Sequence, residues 1–256
     1  MKISIIQSDL AWEDKSSNFN NLGELISPLY KKTDIVILPE MFNTGFSMNP
    51  EQLSESPEAE TFDWMNNIAQ KGNFGLCGSY MVKENKHFFN RWVFTSPENE
   101  CWHYDKRHLF SMAGEDKFFS PGKTRLIFSF RGVRISPGIC YDIRFPVWSR
   151  NRNDYDLLIY AANWPETRRE VWSTLLKARA IENQCYVACA NRIGTDGNGI
   201  NYCGDSMIVN PRGEIIASVN PNEESSATVE ISLTELMDFR KKFPVFNDAD
   251  NFSINF

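Results

Sequence analysis

The chain has 256 residues, of which 42% are hydrophobic and 23% charged, enough for a sizeable core and too apolar for long disorder. Its 27 basic and 33 acidic side chains leave a net charge of −6, which argues against a nucleic-acid partner, because phosphate binding needs a basic footprint. No apolar run reaches the roughly 18 residues that a membrane span requires.

"KISIIQ" at the start reads as a strand, with no signal-peptide pattern before it, so a cytoplasmic protein is expected. Residues 16–32 follow a helical pattern that Pro28 disturbs near its end. "DIVILPE" is a near-continuous apolar run, as a buried strand should be. Residues 58–72 read as a helix closed by Gly72. Two strands, 74–84 and 87–96, meet at the polar turn "NKH", and "CWHYDKRHLF" is a third short piece. "RLIFSF" and "VRISPGIC" flank the turn "RG". Pro137 in the second of these removes a ladder donor, so an edge or a bulge is expected there. Residues 147–154 are a helix candidate, 155–164 a strand, 170–184 the clearest helix, and 185–194 a strand again. Residues 201–219 read as a hairpin turning at "NPRG". A last strand, a short helix and an aromatic tail follow. Strands alternating with helices, with hairpins among them, predict an α/β fold with mixed sheets and a single domain over 1–256. No phosphate-cradling glycine motif is present.

Six cysteines in a long chain without a secretory pattern predict small core residues rather than disulfides. Cys185 and Cys189, four apart on a strand, would be roughly 13 Å apart, too far for one zinc ion. Three strand ends, however, carry reactive groups: Glu40 in "LPEMF", Lys106 in "YDKRHLF" and Cys140 in "GICYDIRFP". Singly, each has an ordinary explanation as a cap, a solvated lysine and a core thiol. Together, at the ends of strands where α/β proteins place chemistry, they form a coherent set.

These three motifs, in this order and spacing, resemble the signature regions of the nitrilase superfamily of carbon–nitrogen hydrolases. "ARAIENQCYVACANRIG" and "GDSMIVNPRGEI" also match family segments. The resemblance implies an αββα four-layer sandwich, usually a homodimer joined through an outer helical layer. "EMFNTGF", "CYDIRFPVWSRN", "AANWPETRREVW" and "KFPVFNDADNF" look most like the bacterial branch of ω-amidases, similar to the mammalian ω-amidase. Those enzymes hydrolyse the distal amide of 2-oxoglutaramate and related compounds.

That chemistry needs a proton acceptor, a nucleophile and a cation, and no metal or organic cofactor. Glu40 would be the general base for Cys140. Their free pKa values, about 4.3 and 8.5, must be brought together. Burial is expected to raise the carboxyl and Lys106 to lower the thiol. Lys106 and the N–H of Tyr141 would hold the oxyanion. The resemblance gives Glu115 as a second glutamate positioning the lysine and substrate; its alternative is a surface carboxylate. A cysteine–histidine pair is the rival arrangement. Only His87, His103 and His108 are available, and no papain-like pattern surrounds Cys140.

A substrate carboxylate far from the amide calls for an arginine. Arg144, Arg168 and Arg169 are candidates; Arg144 could instead pair with Asp142 or a buried glutamate, and the other two could be solvated. Phe46 and Trp164 are candidate aromatic walls, or core. The partners expected are a small amide and water, with no nucleic acid and no membrane. Two other readings stay open: the same three residues acting on a nitrile, a carbamoyl amine or a glutathione-derived amide, and a non-catalytic binding protein of the same fold. The tail, about 240–256, is too apolar to be free and is expected to dock on the body or a partner subunit.

Overall fold

In strand β1 (Lys2–Gln7), side chains alternate between two apolar surroundings, and this alternation builds the layers. Ile3 and Ile5 join one core cluster with Ile35 and Ile37 of β2 (Ile35–Ile37) and Cys77 of β3 (Gly75–Glu84). Ile6, Val36 and Leu76 point the other way. They pack on Phe19, Leu22 and Ile26 of α1 (Lys15–Ile26) and on Met65, Ile68 and Ala69 of α3 (Glu60–Gly72). Burial on both faces explains why these strands read as unbroken apolar runs.

The computed structural model describes residues 1–254. Its first six-stranded sheet has the order β14–β1–β2–β3–β4–β5, adding β4 (His87–Thr95), β5 (Cys101–Asp105) and β14 (Ser225–Glu230). Only β1, β2 and β3 run parallel. The second sheet repeats the plan: β7 (Val133–Ile139), β8 (Leu157–Ala162) and β9 (Tyr186–Asn191) are parallel. β6 (Phe128–Phe130) flanks them on one side, and β12 (Met207–Val209) and β13 (Ile215–Ser218) on the other, all antiparallel. The sheets face each other, and α6 (Arg169–Asn183) covers the second with Trp172, Leu176 and Ala180. The architecture is αββα with mixed sheets.

Several local expectations need correction. The helix predicted over 147–154 is only α5 (Pro146–Ser149), because Asn151 then captures the backbone. Its Oδ1 accepts from the N–H of Asp154, and its Nδ2 donates to the carbonyl of Tyr155. The hairpin over 201–219 is shorter than expected. Residues Asn201–Cys203 (β11) instead pair with Ile193–Thr195 (β10) in a separate ribbon. The left-handed pair Gly204 and Asp205 turns the chain before β12 begins. The strand over 185–194 likewise breaks at Arg192, between β9 and β10.

Helix α3 does end at Gly72, but the left-handed cap is Asn73. Gly72 is needed for packing, since a Cβ there would lie 2.1 Å from the ring of Phe74. Pro28 sits in a 3₁₀ turn just beyond α1. Pro137 pairs with Ile159 of β8 on one side, while β6 reaches only as far as Ile135, so the proline occupies a local edge without a bulge.

Helix α7 (Leu233–Lys242) leads into the tail. There Gln184 Nε2 donates to the carbonyl of Phe243, Arg152 Nη2 donates to that of Phe252, and Ile254 packs on the core. The last two residues of the tail fall outside the described ones. Two single-turn helices, α2 (Pro50–Leu53) and α4 (Glu115–Phe118), sit in the loops that border the site.

Candidate active site

The carboxyl ends of β2, β7 and β8 and the end of β5 converge at one edge of the sandwich, where parallel strands present loops rather than hairpins. Glu40 lies three residues past β2, Lys106 directly after β5, Cys140 directly after β7, and Glu115 opens α4. The structure brings all four together.

Lys106 is fully buried and holds the acids on one nitrogen. Its Nζ donates to Glu40 Oε1 at 2.8 Å and to Glu115 Oε1 and Oε2 at 3.0 and 2.9 Å. Burial alone would weaken the ammonium, but Glu115 and Glu40 outweigh it and hold the lysine charged well above its ordinary range. Burial, assisted by the charge of Glu40, pushes the carboxyl of Glu115 up, while Lys106 opposes the rise. The ring of Phe46 lies 5.1 Å from the ammonium. Glu115 is therefore a buried partner of the lysine, not a surface carboxylate.

Two asparagines complete the framework, and neither was singled out from the sequence. Asn90 Nδ2, from the middle of β4, donates to Glu40 Oε1 at 2.8 Å and to Glu115 Oε1 at 3.1 Å. Asn163 follows β8 and links Glu40 to Cys140. Its N–H donates to Glu40 Oε2 at 2.9 Å, and its carbonyl accepts from Cys140 Sγ at 3.8 Å. The available signal was a polar residue inside or directly after an apolar strand, as in "HFFNRW" and "LLIYAAN".

Cys140 has φ +44, a left-handed conformation costing a non-glycine residue about 1–3 kcal/mol. Asp142 holds the turn in place. Its Oδ2 accepts from the N–H of Ile139 at 3.0 Å and from the hydroxyl of Tyr104 at 2.8 Å. Its Oδ1 accepts from the N–H of His108 and contacts that ring's Nδ1 at 2.7 Å. His108 stacks on Phe145, so it belongs to the scaffold under the turn rather than to the thiol. His87 and His103 lie exposed on β4 and β5.

Lys106 does act to lower the thiol, as expected, but it does not decide the net shift. Burial, then the charge of Glu40, raise Cys140 well above its ordinary range, and the opposing effect of Lys106 is smaller. The balance of these effects favours the protonated thiol over the thiolate.

A cavity of about 880 Å³ opens over Cys140 and Lys106. Phe46, Tyr141, Arg144, Trp164 and Arg168 line it, with Asn163 beside the thiol. Glu40 and Glu115 are fully buried. Arg144 is exposed and lies over the ring of Trp164 at 5.2 Å, and Arg168 lies over Phe110 at 5.2 Å. Arg144 is not paired with Asp142, whose oxygens are already engaged by Tyr104, Ile139 and His108. Arg169 leaves the candidate set, because it forms a bidentate pair with Asp205 at 3.0 and 2.8 Å.

A family model described as carbon–nitrogen hydrolase matches residues 2–241. The chain is similar to the protein named omega-amidase YafV of Escherichia coli (strain K12). The two are 43% identical over 254 residues, which cover 99% of this chain and 98% of that one. It is also similar to the 2-oxoglutaramate amidase of Bacillus subtilis (strain 168), at 34% identity with 96% of each chain covered. Among solved structures, XC1258 from Xanthomonas campestris is described as a CN-hydrolase superfamily protein with an arsenic adduct in the active site. It superposes with a TM-score of 0.96 at 38% identity, covering 100% of this chain and 99% of that chain. Nit3 of Saccharomyces cerevisiae, a nitrilase-superfamily member, shares the fold with a TM-score of 0.85 at 24% identity, covering 96% of this chain and 94% of that one.

Proposed function

The chain belongs to the carbon–nitrogen hydrolase family, and within it we propose an ω-amidase that hydrolyses the distal amide of 2-oxoglutaramate-like dicarboxylate monoamides to the acid and ammonia. The observation that carries the mechanism is the buried cluster in which Lys106 bridges Glu40 and Glu115 while Asn163 joins Glu40 to Cys140. The likeness to proteins named omega-amidase and 2-oxoglutaramate amidase supports the substrate class.

The thiol is neutral at rest, so its proton leaves as the attack begins. Glu40 takes that proton, and Cys140 Sγ bonds to the amide carbon. The carbonyl oxygen gains the negative charge. Lys106 and the Tyr141 N–H, in the first turn of the short 3₁₀ helix Cys140–Arg144, are the donors for it. One N–H of Lys106 serves Glu40, and a second is shared between the two oxygens of Glu115, leaving the third for the oxyanion. Protonated Glu40 then gives its proton to the nitrogen, the C–N bond breaks, and ammonia departs. A water gives a proton to Glu40 and attacks the thioester carbon. The C–S bond breaks, the sulfur recovers the proton from Glu40, and the acid is released.

In this proposal Arg144 reads the remote carboxylate, supported by its position on the cavity wall over Trp164, with Arg168 as a second cation of the cavity. The test is ammonia release from 2-oxoglutaramate, glutaramate and succinamate; no turnover of any of them by protein with Cys140 reduced would sink the reading. A homodimer in the cytoplasm belongs to the same proposal. Six free cysteines fit a reducing compartment, and the exposed Val147, Ile181 and Phe243 offer apolar surface for a second copy. Light scattering that returned the mass of one chain would overturn the dimer.

A further inference from the structure

Asn163 has one polar atom that the framework leaves unused. Its N–H and its carbonyl serve Glu40 and Cys140. Its side-chain Nδ2 donates to the backbone carbonyl of Glu40 at 2.5 Å, which fixes the plane of the amide. Its Oδ1 is buried and takes no hydrogen bond from any described residue. The residue is 4% exposed and lines the cavity beside the thiol. Buried acceptors in proteins are nearly always satisfied, and this one belongs to a residue that lines the cavity, so a ligand held there is the candidate donor.

A primary carboxamide brings such a donor. Its carbonyl oxygen is an acceptor and goes to Lys106 and the Tyr141 N–H. Its nitrogen must sit near Glu40, which will protonate it. Asn163 borders Glu40 on that side through the bond between its N–H and Oε2. We propose that Asn163 Oδ1 accepts an N–H of the scissile carboxamide. It thereby favours a primary amide over an acyl group whose leaving atom carries no hydrogen. The bond also turns the nitrogen so that, as it becomes tetrahedral, its lone pair faces the proton on Glu40. A site built around a substrate N–H discriminates strongly against analogues lacking it, because its own buried group is then left unpaired. This assignment rests on the amidase reading above and adds to it the residue that sets the leaving-group preference.

The experiment compares glutaramate with monomethyl glutarate, which share one acyl group and pass through the same thioester. kcat/KM for both is measured on the wild type and on Asn163→Ala. Asn163→Leu, of nearly the same volume, takes the place of the alanine variant if that protein does not fold. Loss of the bond is expected to lower the amide-to-ester ratio of kcat/KM about tenfold, on top of whatever loss both substrates share from the missing brace on Glu40. Asn163 also braces the backbone of Glu40, and a purely structural role would depress both substrates equally. Equal losses would overturn the assignment. A wild type that turns over neither substrate would instead overturn the amidase reading itself.

Discussion

Replacing Lys106 by methionine removes the one cation between two buried acids, and the structure sets the scale of the result. Glu40 and Glu115 both lie within 3.0 Å of the same nitrogen. Their nearest oxygens are therefore within about 6 Å of each other, where two like charges repel by about 3 kcal/mol at an effective dielectric of about 20. Removing one member of a buried ion pair costs about 3–5 kcal/mol for the same reason. That corresponds to a fall in melting temperature of roughly 10 °C for a chain of this size. The pH dependence gives the sharper readout. Burial already raises the carboxyl of Glu115, and Lys106 is the group that opposes the rise, so its removal moves that carboxyl further up. A carboxyl raised in the folded state contributes stability that is fully present below its unfolded value, about 4.3, and lost as pH climbs through its folded value. The deficit of Lys106→Met should thus be large at pH 8 and shrink toward pH 5. The double variant Lys106→Met/Glu115→Gln should regain most of the stability while amide turnover stays down by at least about a hundredfold, the cost of losing an oxyanion donor. Urea denaturation at the two pH values measures this. A single variant as stable as the wild type at pH 8, or a deficit that does not shrink in acid, would refute the account of the cluster.

The raised thiol of Cys140 predicts that iodoacetate labelling of this residue keeps accelerating through pH 9; a plateau below about pH 7 would indicate a resting thiolate and contradict the proton-transfer step. Arg144→Met should raise KM for carboxylate-bearing ω-amides by roughly ten- to a hundredfold, the worth of a charge-assisted hydrogen bond, while leaving a neutral amide such as butyramide nearly unchanged. Equal effects on both would remove Arg144 from the carboxylate-reading role and pass it to Arg168, also on the cavity wall.

How far these features could be read from the sequence depended on the range of the interaction. The buried strands and the helices over 15–26, 60–72 and 169–183 follow from local periodicity, which residues within one element decide. The reactive residues stood out because each follows a strand. Asn90 did not, since only the pairing of β4 between β3 and β5 carries it beneath Glu40. Arg168 and Arg169 are indistinguishable as neighbours in the chain; Asp205, 36 residues from Arg169, separates them by claiming the second. The direction of the thiol shift required knowing which of two opposite charges and how much burial acts on the sulfur, and spacing along the chain does not encode that balance. The helix expected over 147–154 failed because its composition allows a helix while one side chain, Asn151, takes the backbone groups that would have formed it.

The central claim is that Cys140 carries the acyl group. Rapid acid quench of the wild type turning over glutaramate, followed by intact-mass measurement and peptide mapping, tests it directly. The account predicts one added glutaryl group per chain, located on the peptide containing Cys140, and none on Cys140→Ala. Full turnover with no acylated protein, or an acyl group on another residue, would contradict it.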